Sequence, residues 1–335
     1  MEYPSLDKPK AGATRFNTDS SQLEIYDGNQ WTGVLATSPE HQTGGTRGFS
    51  AGGSTAHPGG TPYTAAIDYF DISSAGNAAD FGDMQSAHSA PSACSSRTRG
   101  LISGGEGPTV DIINYITMSS TGNAADFGNL SGSRYGQGGC SSPTRGLFGG
   151  GASANNTIDY VTISSTANAL DFGDLYTGVG RAQATSNTTR GIWFMGQPGT
   201  NVIQYVTTAT TGNSADFGDM YSGGYSGRSG ANAVRAVIAT GYEKPAGYVN
   251  TLSYVTMSSL GNSIEFGDRV GSIVGCATAC ASSTRAVFGG GWQPSPFNQL
   301  DYVQIMTTGN STDFGDLTGN RSEASGFSNG HGGLG

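Results

Sequence analysis

Apolar residues in this chain fall in short runs separated by Gly, Ser, Thr and Asn. A representative run is Ile158-Asp159-Tyr160-Val161-Thr162-Ile163. With a side-chain period of two, Ile158 and Tyr160 point one way and Val161 and Ile163 the other. The run is therefore apolar on both faces. Runs of about 4–8 residues rich in Val, Ile, Tyr and Thr and bounded by turn residues predict strands. A strand apolar on both faces needs neighbours above and below, so the pattern predicts sheets stacked against one another.

The runs repeat. Asp-Phe-Gly-Asp occurs at Asp80–Asp83 and, with Asn last, at Asp126–Asn129. It returns at Asp171–Asp174, Asp216–Asp219, Glu265–Asp268 and Asp313–Asp316, at spacings of 46, 45, 45, 49 and 48 residues. Arg47, Arg99, Arg145, Arg190, Arg235 and Arg285 keep the same phase, each opening an apolar strand such as Leu147-Phe148-Gly149-Gly150. So do the third-strand pairs Ile67/Tyr69, Ile113/Tyr115, Ile158/Tyr160, Ile203/Tyr205, Leu252/Tyr254 and Leu300/Tyr302. Asn77, Asn123, Asn168, Asn213, Asn262 and Asn310 mark a turn before each anchor. Each unit reads as four short strands. Four strands at a period of about 40–50 residues predict an all-β, six-bladed β-propeller over residues 41–335 rather than a solenoid. After the sixth anchor, residues 320–329 begin a seventh unit that stops, and the first unit lacks that strand before Arg47. The C-terminal strand is therefore expected to complete the first blade.

Composition supports a packed fold. Gly is abundant at 55 residues, but aromatics reach 10%, enough for a core. The net charge of −9, with 16 Lys and Arg against 25 Asp and Glu, argues against a nucleic-acid partner. No apolar run is long enough to span a membrane, and residues 1–10 lack the apolar segment of a secretory signal. Cys94, Cys140 and Cys280 each precede a phased Arg by five residues and are expected as small buried residues, too far apart for disulfides. Cys276 and Cys280 can share a strand face, but two ligands make no zinc site. His41, His57, His88 and His331 are scattered. No metal or cofactor is expected. The six Asp-Phe-Gly-Asp copies have no accompanying nucleotide loop or His-Arg-Asp motif, so they are expected to be structural rather than kinase-like. Phe81, Phe127, Phe172, Phe217, Phe266 and Phe314 should bury between blades, the Gly should turn, and the Asp should bond turn amides. The phased arginines are expected to clamp neighbouring blades through carboxylates or carbonyls, bidentate carboxylate pairing being the reason for Arg over Lys.

The Gly-Gly after an apolar strand, the Tyr-bearing third strand and the aromatic fourth strand resemble the kelch repeat. Phe81 and its equivalents stand where kelch repeats carry Trp, and Arg134, Arg181, Arg228 and Arg321 resemble the Arg that follows. The absence of that Trp and the uniformity of the repeat depart from the family. The repeated text Ile-Asp-Tyr-Val-Thr-Ile-Ser-Ser-Thr resembles repeats of marine bacteriophage virion proteins. Residues 11–31, with Arg15-Phe16-Asn17-Thr18, Leu23-Glu24-Ile25-Tyr26-Asp27-Gly28 and Trp31, resemble a short β module of phage tail fibres. Read from its residues, the segment is a hairpin too small to fold well alone. Residues 1–40 are expected to be an attachment module docking on the propeller or on other virion proteins.

Variation between repeats concentrates in the second-to-third-strand connections at 54–66, 106–111, 152–157, 197–201, 242–251 and 292–299. These carry Tyr63, Tyr242, Tyr248, Trp292 and Phe297, and the fourth-to-first connections add Tyr135, Tyr176, Tyr221 and Tyr225 on the same face. The opposite face carries uniform Ser-Thr-Gly-Asn turns. One varied, aromatic-rich face predicts a recognition surface for a host-surface glycan or a protein. The expectation is a non-enzymatic virion structural protein, of tail-fibre or adhesin type, located in the phage particle. A glycan depolymerase needs paired carboxylates, and Glu106, Asp111 and Glu243 are thinly spread. A cellular kelch-like interaction module is the remaining alternative.

Overall fold

The computed structural model describes residues 9–17, 22–33, 45–56, 61–243, 246–270, 277–292 and 295–331. The chain divides into two compact units, Met1–Gln42 and Thr43–Gly335.

The first unit is a three-stranded antiparallel sheet, Thr14–Asn17, Gln22–Tyr26 and Trp31–Gly33, one strand more than the expected hairpin. Asp27 makes the second turn by accepting from the amides of Asn29 (2.7 Å) and Gln30 (2.8 Å). On one face the Arg15 guanidinium donates to Glu24 at 2.8 Å and lies 4.3 Å from the Trp31 ring centre. The other face leaves Phe16, Leu23 and Ile25 exposed.

The second unit is all-β. Among the described residues it holds six antiparallel sheets, one per repeat, here I to VI. Sheet III is typical: Gly138–Ser141, Arg145–Gly149, Thr157–Thr162 and Leu170–Asp174 pair in that order. A bulge at each anchor glycine ends the regular register, as between Ile158 and Asp159. Sheet I is assembled from both ends of the unit: Ser325–Ser328 pairs with Arg47–Ala51, which leads to Ala66–Asp71 and Ala79–Asp83. Phe327 stacks on Phe49 with ring centres 5.0 Å apart. In sheets V and VI the second and third strands lengthen into arms, Arg235–Glu243 with Gly247–Thr256 and Arg285–Trp292 with Pro296–Gln304.

The two faces of each third strand enter different cores. Ile158 and Tyr160 pack with Phe172, whereas Val161 and Ile163 pack with Phe127 and Phe148. The anchor phenylalanines thus bury between consecutive sheets, as their position predicted, and each meets the Tyr of its own third strand edge-on. Full burial of each ring contributes about 1.5–3 kcal/mol.

The same bonds recur from sheet to sheet and return from VI to I. Arg47 Nη1 donates to Met118 O (2.7 Å), Arg99 to Ile163 O (3.0 Å), Arg145 to Ala209 O (2.8 Å) and Arg190 to Met257 O (2.9 Å). Arg235 donates to Ile305 O (3.2 Å), and Arg285 returns to Ser73 O (2.8 Å). Each of these guanidiniums also lies over the Tyr of its own third strand, 4.1–5.3 Å from the ring centre. The expected clamp is present, but its partners are carbonyls and aromatic faces. Strand-end carbonyls have no ladder partner left, so they are the acceptors within reach. Carboxylate pairing falls instead to three buried arginines of the fourth-to-first connections. Arg134 pairs with Asp159, Arg269 with Asp301 (Nη2 to Oδ1 2.5 Å) and Arg321 with Asp68 (3.0 Å), each reaching the third strand of the next sheet.

The anchor aspartates also depart from expectation. The first acidic residue of each anchor is exposed, and it is the amide of the last anchor residue that donates, to the turn Asn of the next sheet. Asp83 donates to Asn123 Oδ1 (3.1 Å) and Asp316 to Asn77 Oδ1 (3.1 Å), with the other four copies alike. Gly173 shows why the anchor needs glycine: at φ 142° a Cβ would meet Gly212 O at 2.5 Å.

Cys94, Cys140 and Cys280 are buried, as expected of small core residues, and Cys276 lies outside the described residues. Each sulfur fills the space over a glycine of the next sheet. A Cβ on Gly146 would lie 2.7 Å from Cys94 Sγ, on Gly191 2.6 Å from Cys140 Sγ, and on Gly48 2.6 Å from Cys280 Sγ. Burial pushes the Cys94 and Cys140 thiols well up, which makes them inert packing groups.

Candidate functional site

The first strands of the six sheets touch their neighbours in sequence order, and Ser325–Ser328 touches Ser92–Ser95 to complete the order. Between them lies a cavity lined by one residue or more from every sheet: Ala93, Gly139, Ala184, Ser229, Ala279 and Gly326. Its interior admits the centres of water-sized molecules over about 70 Å3. A second space of about 40 Å3 is lined by the three cysteines and His331. The His331 Nε2 sits 3.2 Å from Ser141 Oγ and 3.3 Å from Ser95 O, and burial pushes its pKa down to about 4.

The rim of the larger cavity is set by one backbone device. Nine residues after the anchor Phe, the chain turns into its first strand through a left-handed residue. These are Ala90 (φ 49°), Gly136 (φ 64°), Arg181 (φ 49°), Ser226 (φ 60°) and Glu323 (φ 53°). Four of the five carry side chains in a conformation that costs non-glycine residues about 1–3 kcal/mol. The amides tie the rim together: Ala90 N donates to Glu323 O at 2.8 Å and Gly136 N to Ala90 O at 2.9 Å.

Arg181 and Glu323 meet as an ion pair across this rim, although sheets IV and I stand three apart in the cyclic order. Glu106 lies 4.0 Å from the same guanidinium. Ser89 Oγ donates to Glu323 Oε2 at 2.7 Å. The two carboxyls are driven apart. Burial and the neighbouring Glu323 charge push Glu106 up against the pull of Arg181. Burial also works to raise Glu323, but Arg181, Ser89 and Arg228 outweigh it and hold Glu323 low. Arg228 is committed to backbone, donating to Ala277 O (2.9 Å), Gly227 O (2.8 Å) and Ala324 O (2.9 Å).

Beside the rim the arms of sheets V and VI carry a row of aromatic rings. Tyr225 ends the short strand Gly224–Tyr225 and lies opposite Tyr242, which lies opposite Tyr248. Ring centres are 4.5 Å apart for Tyr225 and Tyr242, 5.1 Å for Tyr242 and Tyr248, and 5.5 Å for Tyr248 and Trp292. The row reaches the rim, because Ser226 lines the cavity and Tyr248 feels the charges of both Glu323 and Arg181. Burial, then the neighbouring Tyr242, pushes the Tyr225 phenol up.

Four of the nine aromatics expected on the recognition face are thus brought into one row. Tyr135 is half-buried and within electrostatic reach of Arg181. Tyr63 is half-buried against Gly107, and Phe297 lies opposite Gly291 in the arm of sheet VI. Tyr176 and Tyr221 stand apart as solvent-exposed rings, 71% and 75% accessible. Both follow a fourth strand whose end is pinned by a Ser hydroxyl of the next sheet, which aims the ring outward. The sequence reading missed Glu323 and the rim role of Arg181. The signal was there: where the repeat is uniform, the position nine residues past the Phe runs Ala, Gly, Arg, Ser, Gly, Glu. Among the described residues no group of three or more His, Cys, Asp or Glu is placed to hold a metal, and no helix is long and apolar enough to cross a membrane. His41 and His57 lie outside the described residues.

Compared with known proteins, the chain matches no family model and no curated protein sequence.

Proposed function

We propose that the six sheets are the blades of a six-bladed, kelch-like β-propeller, and that the protein is a non-enzymatic phage virion component that binds a host-surface glycan through one propeller face. The cyclic return of the arginine and asparagine bonds from sheet VI to sheet I, with the C-terminal strand in sheet I, supports the propeller. The aromatic row of Tyr225, Tyr242, Tyr248 and Trp292 carries the functional reading. Such faces offer large apolar area at low entropy cost with hydroxyls at the edge, which suits the alternating apolar and polar surface of a sugar. Attachment to other virion proteins through residues 1–40 rests on the resemblance of residues 11–31 to a tail-fibre module and on the exposed Phe16, Leu23 and Ile25.

The test is an array of immobilised oligosaccharides. Binding that disappears in Trp292→Ala and Tyr248→Ala while the melting temperature holds supports the reading. An array with no hit, together with a cryo-EM map of the particle in which this face is covered by other virion proteins, overturns it.

The convergence of Glu106 and Glu323 on Arg181 favours a second reading, glycan cleavage with Glu106 as acid and Glu323 as the ionised partner. Release of reducing ends from a bound glycan, abolished by Glu106→Gln, selects that reading over simple adhesion.

A further inference from the structure

Met195 breaks the repeat at a strained position. In four of the six sheets the second strand runs on into a left-handed glycine: Gly52 (φ 66°), Gly104 (φ 62°), Gly150 (φ 78°) and Gly290 (φ 54°). Sheet IV keeps that conformation but places Met195 there, at φ 57° and fully buried. A side chain in this conformation persists only where its surroundings hold it, and such outliers gather where function needs a fixed geometry.

The exchange has a counterpart across the sheet boundary. In sheets I to III the glycine faces the residue ten positions past the anchor Phe, in the connection to the next sheet. A Cβ would lie 3.1 Å from Pro91 Cγ at Gly52 and 3.0 Å from Ala182 Cβ at Gly150, and would strike Gln137 Nε2 at Gly104. After sheet IV the facing residue is Gly227. Met195 Cε lies 3.3 Å from where a Cβ of Gly227 would be, and 3.0 Å from where one of Gly224 would be. The side chain thus sits on the strand instead of on the connection. Unbranched and with three rotatable bonds, Met can fill the irregular space beside two glycines.

The bare connection can then lie against the arm of sheet V. A Cβ on Gly227 would lie 2.6 Å from Ala239 O, and one on Gly224 would strike Tyr242 O. Without them, Gly224 and Tyr225 pair with Glu243 and Tyr242, and the Tyr225 ring stacks on Tyr242. Gly196 N, next to Met195, donates to Gly224 O at 3.0 Å and ties the same segment to sheet IV.

We infer that Met195 is a positioning residue of the aromatic row, holding the segment Gly224–Gly227 so that Tyr225 stays stacked on Tyr242. Its effect on ligand affinity rests on the glycan-binding reading above. The placement of Tyr225 does not.

The experiment compares variants of the full-length protein by hydrogen exchange, melting temperature and binding to immobilised linear oligosaccharides of glucose, galactose, mannose and N-acetylglucosamine. Met195→Gly empties the space. The double variant Met195→Gly with Gly227→Ala refills it from the connection, as Gly150 and Ala182 do, but sets a Cβ against Ala239 O. In both variants the amides of residues 224–225 and 242–243 should exchange at least about tenfold faster, with the rest of sheet V still protected. The double variant should regain melting temperature relative to Met195→Gly and still bind its oligosaccharide weakly. A segment in its binding geometry only about a tenth of the time weakens a ligand about tenfold. Met195→Leu should keep both the protection and the affinity. A merely structural Met195 predicts instead that the double variant regains affinity along with melting temperature, and that result overturns the inference. Wild-type exchange at residues 224–225 in Met195→Gly overturns it whatever the glycan does. If the wild type binds no probe, the glycan reading fails, and the exchange rates decide the placement of Tyr225 on their own.

Discussion

Arg181 and Glu323, 142 residues apart in the chain, form an ion pair across the rim of the larger cavity, each from a left-handed backbone position. The pair ties the approach to the first strand of sheet IV to that of sheet I, and sheet I is itself the junction of the two ends of the repeat domain.

Replacing Glu323 with Gln removes the nearer of the two carboxyls beside a largely enclosed guanidinium and leaves only Glu106 at 4.0 Å, so we expect a loss of about 1.5–3 kcal/mol at neutral pH. The carboxyl titrates below its ordinary value of 4.5, so its contribution is present above that pH and is lost as pH falls through the lower folded value. Urea denaturation from pH 3 to 7 should show the wild type and Glu323→Gln converging in acid. A constant gap across that range contradicts the assignment.

His331 gives a second, separable slope. Its folded pKa of about 4 lies below the ordinary 6.5, so the unfolded chain binds the proton more readily. Stability from this group is whole above about pH 6.5 and falls by up to about 3 kcal/mol as pH drops toward 4. In His331→Gln the fall between pH 6.5 and 4.5 should flatten. The same denaturation series reads it, and a variant with the wild-type slope shows that His331 is not held neutral.

Deleting residues 318–335 removes the strand Ser325–Ser328, the Phe327 ring over Phe49 and the Arg321–Asp68 pair together. Sheet I then loses its innermost strand and its neighbours lose their packing on both sides. We expect cooperative unfolding of the whole repeat domain, seen by calorimetry, rather than a trimmed but native protein. Phe327→Ala isolates one part of the effect and should cost about 3–5 kcal/mol. A truncated chain that melts like the intact one shows that the terminal strand does not close the set of sheets.

The sequence by itself determined the strands, their number per repeat and the residues that bury between sheets. These follow from local periodicity, and Phe172 or Ile158 reports its surroundings in its own repeat without reference to any other. It also announced the terminal strand, because residues 320–329 repeat the text that precedes the phased Arg in the other units. Only the tertiary structure decided which partners the polar groups take. Arg145 and Arg134 look equally able to seek a carboxylate, yet the first reaches a strand-end carbonyl over Tyr160 and the second reaches buried Asp159. The choice depends on which acceptor the next sheet carries opposite each guanidinium, a distance no single repeat encodes. The rim is the extreme case. Arg181 and Glu323 are unremarkable in their own units, and become a pair because the chain brings the fourth and first sheets to opposite sides of one narrow cavity.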